Sequence, residues 1–284
     1  MIAEAAGGQI GVFDSGVGGL SVMQAIREQL PDERLLYLAD QAHVPYGTKS
    51  LAEVRSYAEG ITRFLLAKGC KLIVVACNTA SAASLHYLRQ VFPGVPIVGM
   101  EPAVKPAAER TQTGVVGVLA TTATFQGELY ASLLERFAND VTVLQDTCPG
   151  LVSLIEAGNL EGEEPRRVLE SALRPMLHQG IDVVVLGCTH YPFITPLIQA
   201  IVGPGVKVID PAPAVARQVK RVLEENGLRH PAENGAVAFG SPMVSYRYFT
   251  TGDAFQLQGM LLKLIGERAP VERLRWEGTS LVEG

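Results

Sequence analysis

Two short apolar segments, each ending in a cysteine, constrain the fold of this chain more than any other feature. The first is residues 71–77 (KLIVVAC) and the second is residues 182–188 (DVVVLGC), which places Cys77 and Cys188 111 residues apart. Neither segment alternates between apolar and polar residues, and this is typical of strands buried on both faces in a parallel sheet. Each cysteine then stands at the carboxyl end of a strand, where open α/β sheets bind ligands.

Other segments recur in the same order, which predicts a duplicated α/β unit. Residues 117–121 (GVLAT) follow residues 11–15 (GVFDS) by 106 positions, and residues 141–146 follow residues 35–40 by the same 106. The ordinary regularity of α/β chains is the alternative, but it does not account for the shared order and near-constant spacing. We therefore expect an α/β protein with two similar parallel-sheet domains and a cleft between them.

The strands late in the chain indicate where these domains begin and end. A strand at residues 206–210 should close the second unit, and a strand at residues 247–251 should complete the first. The predicted division is therefore residues 1–99 with 211–284 for the first domain and residues 100–210 for the second. A length of 284 residues with 48% hydrophobic side chains is sufficient for two cores of this size.

Composition excludes several classes of function. The net charge is −5 and no basic cluster is present, so we expect no nucleic-acid partner. No apolar run approaches the length of a membrane span, and residues 1–8 lack the pattern of a signal peptide. Four cysteines are too few for a disulfide framework in a chain of this length. We expect a cytoplasmic protein with reduced thiols and no membrane association.

Two thiols facing one bound molecule from two related units suit racemisation. One face of a stereocentre must lose a proton while the other face gains one, and a pair of bases achieves this without rotating the substrate. Cysteine fits this role because its unperturbed pKa, about 8.5, lies near neutrality, and a helix N-terminus lowers it further. Cys77 and Cys188 are therefore the candidate bases, and their titrations should be coupled.

Each thiol has a candidate proton partner nearby. Asp14 ends the first predicted strand, close to Cys77 if the sheet is parallel, and His190 lies two residues after Cys188. The Pro45-Tyr46-Gly47 turn exposes backbone N–H groups suited to a carboxylate. Neutral hydroxyl, amide and helix-start N–H donors for the same purpose are Asn78, Thr79, Thr121 and Thr189.

Alternative roles exist for several of these residues. Cys70 and Cys148 are interpreted as structural, because a cysteine beside a buried strand is more often a core residue than a catalyst. His43 lies in the turn loop and contacts either substrate or solvent. A zinc site is a competing interpretation, although its ligands would come from distant segments without a Cys-x-x-Cys pair, and a transient Cys77–Cys188 disulfide is another. The zinc ligands would be Cys77, Cys188, His190 and Asp14.

Five collinear motifs between about residues 10 and 260 resemble those of the glutamate racemases, which belong to the cofactor-independent aspartate/glutamate racemase superfamily. The motifs are residues 11–19 (GVFDSGVGG), 44–47 (VPYG), 76–80 (ACNTA), 186–192 (LGCTHYP) and 250–253 (TTGD). The resemblance implies two α/β domains related by a pseudo-two-fold axis, with the active site between them. It also implies interconversion of L- and D-glutamate for peptidoglycan synthesis, without cofactor or metal, commonly by a homodimer.

The same resemblance implies roles for individual residues. Cys77 would serve D-glutamate with the help of Asp14, and Cys188 would serve L-glutamate with the help of His190. Glu156 matches the position of a further assisting carboxylate. The implied substrate contacts are Asp14, Ser15, Pro45, Tyr46, Gly47, Asn78, Thr79, Thr121 and Thr189. A racemase for aspartate, and a binding protein without turnover, are the competing functions.

Overall fold

The computed structural model describes residues 7–230 and 246–284. Residues 1–6, on which part of the signal-peptide prediction rests, lie outside the described residues. The strands are β1 (Gln9–Asp14), β2 (Leu35–Ala39), β3 (Cys70–Val75), β4 (Ile97–Gly99), β5 (Val115–Ala120), β6 (Thr142–Asp146), β7 (Val183–Gly187), β8 (Lys207–Ile209), β9 (Tyr246–Thr250), β10 (Val271–Glu277) and β11 (Ser280–Glu283).

Helices connect nearly all of these strands. The α-helices are α1 (Leu20–Gln29), α2 (Leu51–Ala67), α3 (Asn78–Val91), α4 (Val104–Arg110), α5 (Thr122–Phe125), α6 (Glu128–Phe137), α7 (Leu151–Glu156), α8 (Glu163–His178), α9 (Thr195–Val202), α10 (Ala212–Glu225) and α11 (Ala254–Ile265). Two short 3-10 helices cover Tyr46–Thr48 and Tyr191–Ile194. Within the described ranges, none of the helices has the length and apolar character needed to cross a bilayer.

The strands form two sheets, which confirms the predicted α/β class. The larger sheet has the order β11-β10-β9-β2-β1-β3-β4, and the smaller has the order β6-β5-β7-β8. All neighbouring strands are parallel except β10 and β11, which form an antiparallel hairpin. The order β2-β1-β3-β4 in one sheet corresponds to β6-β5-β7-β8 in the other, as a duplicated unit requires.

Strand register shows that the two cysteines occupy equivalent positions. Phe13 of β1 pairs with Val75 of β3, and Leu119 of β5 pairs with Leu186 of β7. Leu119 follows Phe13 by 106 residues, and Leu186 follows Val75 by 111. Cys77 lies two residues after Val75, and Cys188 lies two residues after Leu186. The predicted offset of 106 residues between β2 and β6 is wrong by two residues. Ile10 of β1 pairs with Leu35, but the equivalent Val116 of β5 pairs with Val143 instead of Val141.

Helices cover both faces of the larger sheet at its central strands, which explains the unbroken apolar runs of β1 and β2. Ile10, Val12 and Val74 pack against α1, α10 and α11, and Phe13 and Val75 pack on the other face against α2 and α3. Successive strand residues point to opposite faces, so a sheet covered on both sides needs apolar residues at every position. Strands β5 and β7 of the smaller sheet are buried in the same way, between α7 to α9 on one face and α4 and α6 on the other.

Three local details follow from caps and turns. Helix α3 begins at Asn78, where the Cys77 sulphur caps it by accepting a hydrogen bond from the Ala80 N–H at 3.4 Å. Glu163 and Glu164 lie in the first turn of α8, where carboxylates interact favourably with the helix dipole. The tail after α11 forms the β10–β11 hairpin, with Gly278 at φ 60° in its two-residue loop.

Two helical glycines with opposite surroundings give a test of this packing. A Cβ on Gly60 of α2 would meet the Thr279 carbonyl oxygen and lie 2.7 Å from the Trp276 ring, whereas one on Gly259 of α11 would meet nothing within 4 Å. We expect Gly60→Ala to lower the free energy of unfolding by about 1–3 kcal/mol through overpacking. Gly259→Ala should raise it by roughly 0.4–1 kcal/mol. Urea unfolding measures both, and equal effects would contradict the packing of the hairpin on α2.

Candidate active site

One small cavity lies where the carboxyl ends of both sets of strands meet. It contains every predicted substrate contact except Asp14, and both candidate bases. Val152 and Gly187 also line it, and sequence reasoning missed both because neither carries a reactive group. The lining residues are Ser15, Pro45, Tyr46, Gly47, Cys77, Asn78, Thr79, Thr121, Val152, Gly187, Cys188, Thr189 and His190.

Asp14 lies beneath the cavity beside Cys77. Its carboxylate accepts hydrogen bonds from the backbone N–H groups of Ser15 at 2.7 Å and Gly19 at 2.5 Å, and from the Thr189 hydroxyl at 3.2 Å. Burial raises the pKa of Asp14, against the opposing effects of His190 and of hydrogen bonds from Cys77 and Ser15. Asp14 is therefore a partner of the Cys77 thiol and not a wall of the cavity.

The N-terminus of α3 acts on Cys77 in the expected direction but does not decide the direction of the net pKa shift. Burial raises the pKa of the Cys77 thiol well above its ordinary value, and the negative charge of Asp14 adds to this effect. The hydrogen bond from the Ala80 N–H acts in the opposite direction but is outweighed. The thiol and carboxyl groups therefore compete for protons as a pair, and the protonated thiol is favoured while Asp14 is ionised.

Cys188 has a different partner arrangement. Its sulphur lies 3.7 Å from Nδ1 of His190, and Nε2 of His190 lies 2.6 Å from Oε1 of Glu156. Burial alone would lower the pKa of His190, but hydrogen bonds and negative charge from Cys188 and Glu156 outweigh it and raise the pKa well above the ordinary value. Burial also opposes ionisation of Glu156, yet His190 and the Val17 N–H lower the pKa of this carboxyl group. Both pKa shifts favour the charged forms, with the imidazole protonated and the Glu156 carboxylate ionised.

Two glycines allow the second unit to approach the β1–α1 loop. A Cβ on Gly16 would collide with the carboxylate of Glu156, and one on Gly18 would lie 2.5 Å from Nδ1 of His190. Glu156 accepts a hydrogen bond from the Val17 N–H at 2.7 Å between these glycines. The glycine-rich segment is therefore a contact surface for the partners of Cys188.

Three threonine hydroxyls form a triangle at the other end of the cavity. The Oγ1 atoms of Thr79 and Thr121 are 2.7 Å apart, and Oγ1 of Thr124 lies 3.0 Å from Thr121 and 3.4 Å from Thr79. Thr79 comes from the first unit and the other two from the second, so the triangle joins the two. Sequence reasoning did not include Thr124, although its spacing from Thr121 at a helix start was a usable signal.

Asn78 lines the cavity with a side-chain amide that makes no hydrogen bond to the described residues. Its side chain is buried, and neither its Oδ1 nor its Nδ2 atom has a hydrogen-bond partner among the described residues. Buried amides without partners are rare and destabilising, so both polar atoms of Asn78 are available to a molecule bound in the cavity. The predicted role of Asn78 as a substrate contact agrees with this placement.

The remaining predicted features have no part in the cavity wall. His43 stacks on Tyr57 with ring centroids 3.9 Å apart and contacts Asp40, so it neither lines the cavity nor faces only solvent. Cys70 and Cys148 are buried, and burial raises the pKa of Cys70 to about 12. All four cysteines are free thiols. In residues 7–230 and 246–284, no group of three or more His, Cys, Asp or Glu side chains is arranged to hold a metal ion.

The ion pair of His190 and Glu156 predicts a specific pH dependence. Because the pKa of His190 is raised in the folded protein, its stabilising effect is complete below the unfolded value of about 6.5 and is lost as the pH rises through the folded value. The pKa of Glu156 is lowered, so its effect is present above about 4.3 and is lost at lower pH. The pair therefore stabilises the fold most between roughly pH 4.3 and 6.5.

Glu156→Gln should lower the pKa of His190 by removing the neighbouring charge, as read from the imidazole resonances by NMR. The deficit in unfolding free energy of the variant should be largest near pH 6 and should shrink as the pH rises. An unchanged pKa of His190 in the folded variant would contradict the arrangement.

Comparisons with known proteins agree with this geometry. Residues 10–219 match the family model described as Asp/Glu/Hydantoin racemase. A glutamate racemase from Ectopseudomonas mendocina (strain ymp) is 50% identical over 262 residues, which cover 92% of this chain and 96% of the relative.

Solved structures give the same result for the fold. The glutamate racemase isoform RacE1 from Bacillus anthracis has a TM-score of 0.84 at 31% identity, covering 96% of this chain and 99% of that one. The Escherichia coli glutamate racemase in complex with L-glutamate and the activator UDP-MurNAc-Ala has a TM-score of 0.80 at 35% identity, covering 95% and 99%. The chain therefore belongs to the Asp/Glu/Hydantoin racemase family and, within it, to the glutamate racemases.

Proposed function

We propose that this chain interconverts L- and D-glutamate by proton transfer between Cys77 and Cys188. The observation that carries the proposal is that two thiols, at equivalent register positions of two related sheets, line one cavity. The naming of the relatives as glutamate racemases, and the L-glutamate bound to the Escherichia coli structure, support glutamate as the substrate. The enzyme is then an isomerase that supplies D-glutamate for peptidoglycan.

The proposed reaction moves one proton out and one proton in. Starting from L-glutamate, the Cys188 thiolate takes the Cα proton and becomes a thiol, leaving a carbanion stabilised by the adjacent carboxylate. The Cys77 thiol then donates its proton to the opposite face of Cα and becomes a thiolate. The product is D-glutamate, and the reverse reaction uses the same two groups in exchanged roles.

The two thiols would have different proton partners. His190 would place a positive charge beside the Cys188 sulphur, with Glu156 fixing the ring through Nε2. Asp14 would retain or accept a proton beside Cys77, since burial raises the pKa of both groups. This allocation agrees with the roles that the family resemblance implies.

Neutral donors would bind the substrate carboxylates. Asn78 and Thr79 lie in the first turn of α3, and Thr121 caps α5, so the N-termini of two helices border the cavity. Among the described residues, no lysine or arginine lines it. Binding by hydroxyls, amides and the Pro45–Gly47 turn would therefore require no lysine or arginine.

Replacement of either candidate base gives the direct test. Cys77→Ser and Cys188→Ser should each lower racemisation at least about 100-fold, because general acid–base catalysis contributes about 100- to 10,000-fold. Cys70→Ser is the matched control, since Cys70 is equally buried but lies outside the cavity, and its activity should stay within about twofold of wild type. Polarimetry measures the rate and circular dichroism the fold. A folded Cys188→Ser variant with wild-type activity would end the proposal.

We also propose the domain division of residues 1–99 with 211–284 against residues 100–210, a cytoplasmic location and a homodimer. The division is supported by the larger sheet taking its strands from both ends of the chain and the smaller sheet from its middle.

The homodimer is supported by the resemblance to the glutamate racemases. Sedimentation equilibrium should give twice the 30.4 kDa of one chain, and a mass of one chain at working concentration would exclude it.

A further inference from the structure

We propose that Asp40 is a positioning residue, which holds residues 41–47 in place against the substrate cavity. The inference deepens the proposed function, because the cavity concerned is the one assigned to glutamate. Asp40 itself does not line this cavity, whereas Pro45, Tyr46 and Gly47 do. Its influence on the reaction would therefore pass through the loop.

The carboxylate of Asp40 is buried and has four hydrogen-bond partners. It follows β2 and is 0% exposed. Oδ2 accepts from the Tyr46 hydroxyl at 2.6 Å and contacts Nδ1 of His43 at 2.9 Å. Oδ1 accepts from the Thr251 hydroxyl and from Nε1 of Trp276, both at 2.8 Å. Four partners fill the acceptor sites of a carboxylate, so each one fixes the direction of the others.

These four partners belong to three separate parts of the chain. His43 and Tyr46 are in the cavity loop, which is residues 41–47. Thr251 follows β9, and Trp276 is in the β10 strand of the C-terminal hairpin. The Tyr46 side chain is buried, and burial together with the Asp40 charge raises the pKa of its phenol well above the ordinary value. The phenol therefore stays protonated and donates to Asp40 throughout the neutral range.

The threonines of the TTGD motif hold the start of the same loop. The Thr251 hydroxyl accepts from the Ala42 N–H at 3.0 Å while donating to Asp40, and the Thr250 hydroxyl donates to Oε1 of Gln41 at 2.7 Å. Nε2 of Gln41 in turn donates to Glu156 at 3.3 Å. This motif has no cavity contact, and its place in the structure is explained by the anchoring of residues 41 and 42.

The hairpin gives Asp40 a fixed support on the opposite side. Trp276 packs over Gly60 of α2, and its ring lies 5.8 Å from the Tyr57 ring and 5.5 Å from the His43 ring. These contacts on both sides of the indole ring hold its N–H toward Oδ1 of Asp40, at 2.8 Å. The hairpin therefore extends the support of the cavity loop to the C-terminal end of the chain.

The loop has little room to move without changing the cavity. A Cβ on Gly47 would lie 2.8 Å from Cβ of Thr121, so the loop backbone contacts the second unit directly. Loss of the Asp40 contacts should release this backbone and weaken substrate binding in both reaction directions. A merely structural Asp40 would instead change stability and leave substrate affinity unaltered in the folded fraction.

The test compares three variants of the full chain by steady-state kinetics and by amide hydrogen exchange. Asp40→Asn keeps the shape but replaces one acceptor oxygen with a donor, and Trp276→Phe removes one hydrogen bond while keeping an aromatic ring. Tyr57→Phe is the control, because it changes the same aromatic cluster without touching Asp40. We expect Asp40→Asn to raise KM about tenfold for both enantiomers, with kcat within about threefold of wild type.

Amide exchange separates this inference from the proposed function. Exchange at residues 42–48 should become about tenfold faster in Asp40→Asn and less so in Trp276→Phe, with β1 and β3 unchanged in both. Tyr57→Phe should match wild type. If the wild-type protein does not racemise glutamate, the proposed function is refuted, and amide exchange alone then tests whether Asp40 positions residues 41–47. If Asp40→Asn does not fold, Trp276→Phe decides it. Unchanged exchange at residues 42–48 in the folded variants overturns the inference.

Discussion

The contact between the β1–α1 loop and the second unit is the interaction on which the site depends. Glu156 joins Val17 of the first unit to His190 of the second, and the Thr189 hydroxyl reaches back to Asp14. Gly16 and Gly18 make this approach possible, because any side chain there would occupy the space of Glu156 or His190. The same contact brings the carboxyl ends of both sheets to one cavity, where Asp14 and His190 are buried beside their thiols.

The two halves of the site are similar in backbone and different in charge. Register places the cysteines at equivalent positions, yet Cys77 lies beside a carboxyl group and Cys188 beside a histidine held by a carboxylate. A reversible two-base reaction requires one group ready to donate and one ready to accept, and such unequal partners provide this difference. Duplication thus accounts for the geometry, while the proton chemistry comes from residues that differ between the copies.

Much of this arrangement could be predicted from the sequence, for identifiable reasons. The buried strands before Cys77 and Cys188 were predictable because sheets covered on both faces need unbroken apolar runs. The cavity residues followed from the carboxyl ends of those strands and from the family resemblance. The C-terminal hairpin was missed because its strand β10 alternates with charged residues and has one buried leucine, Leu274, as an anchor. Thr124 and Asp40 were missed because their roles arise from contacts between distant segments.

In the proposed reaction, two different bases act on opposite faces of Cα. The most direct measurement is to incubate L-glutamate with wild-type enzyme in D₂O, without added cofactor, and to determine deuterium at Cα in both enantiomers at low conversion. A two-base reaction predicts D-glutamate that carries solvent deuterium, and remaining L-glutamate that retains its original hydrogen. Deuterium in the recovered L-glutamate equal to that in the product would show that one group returns solvent hydrogen to both faces, and would contradict the assignment of Cys77 and Cys188 to separate faces.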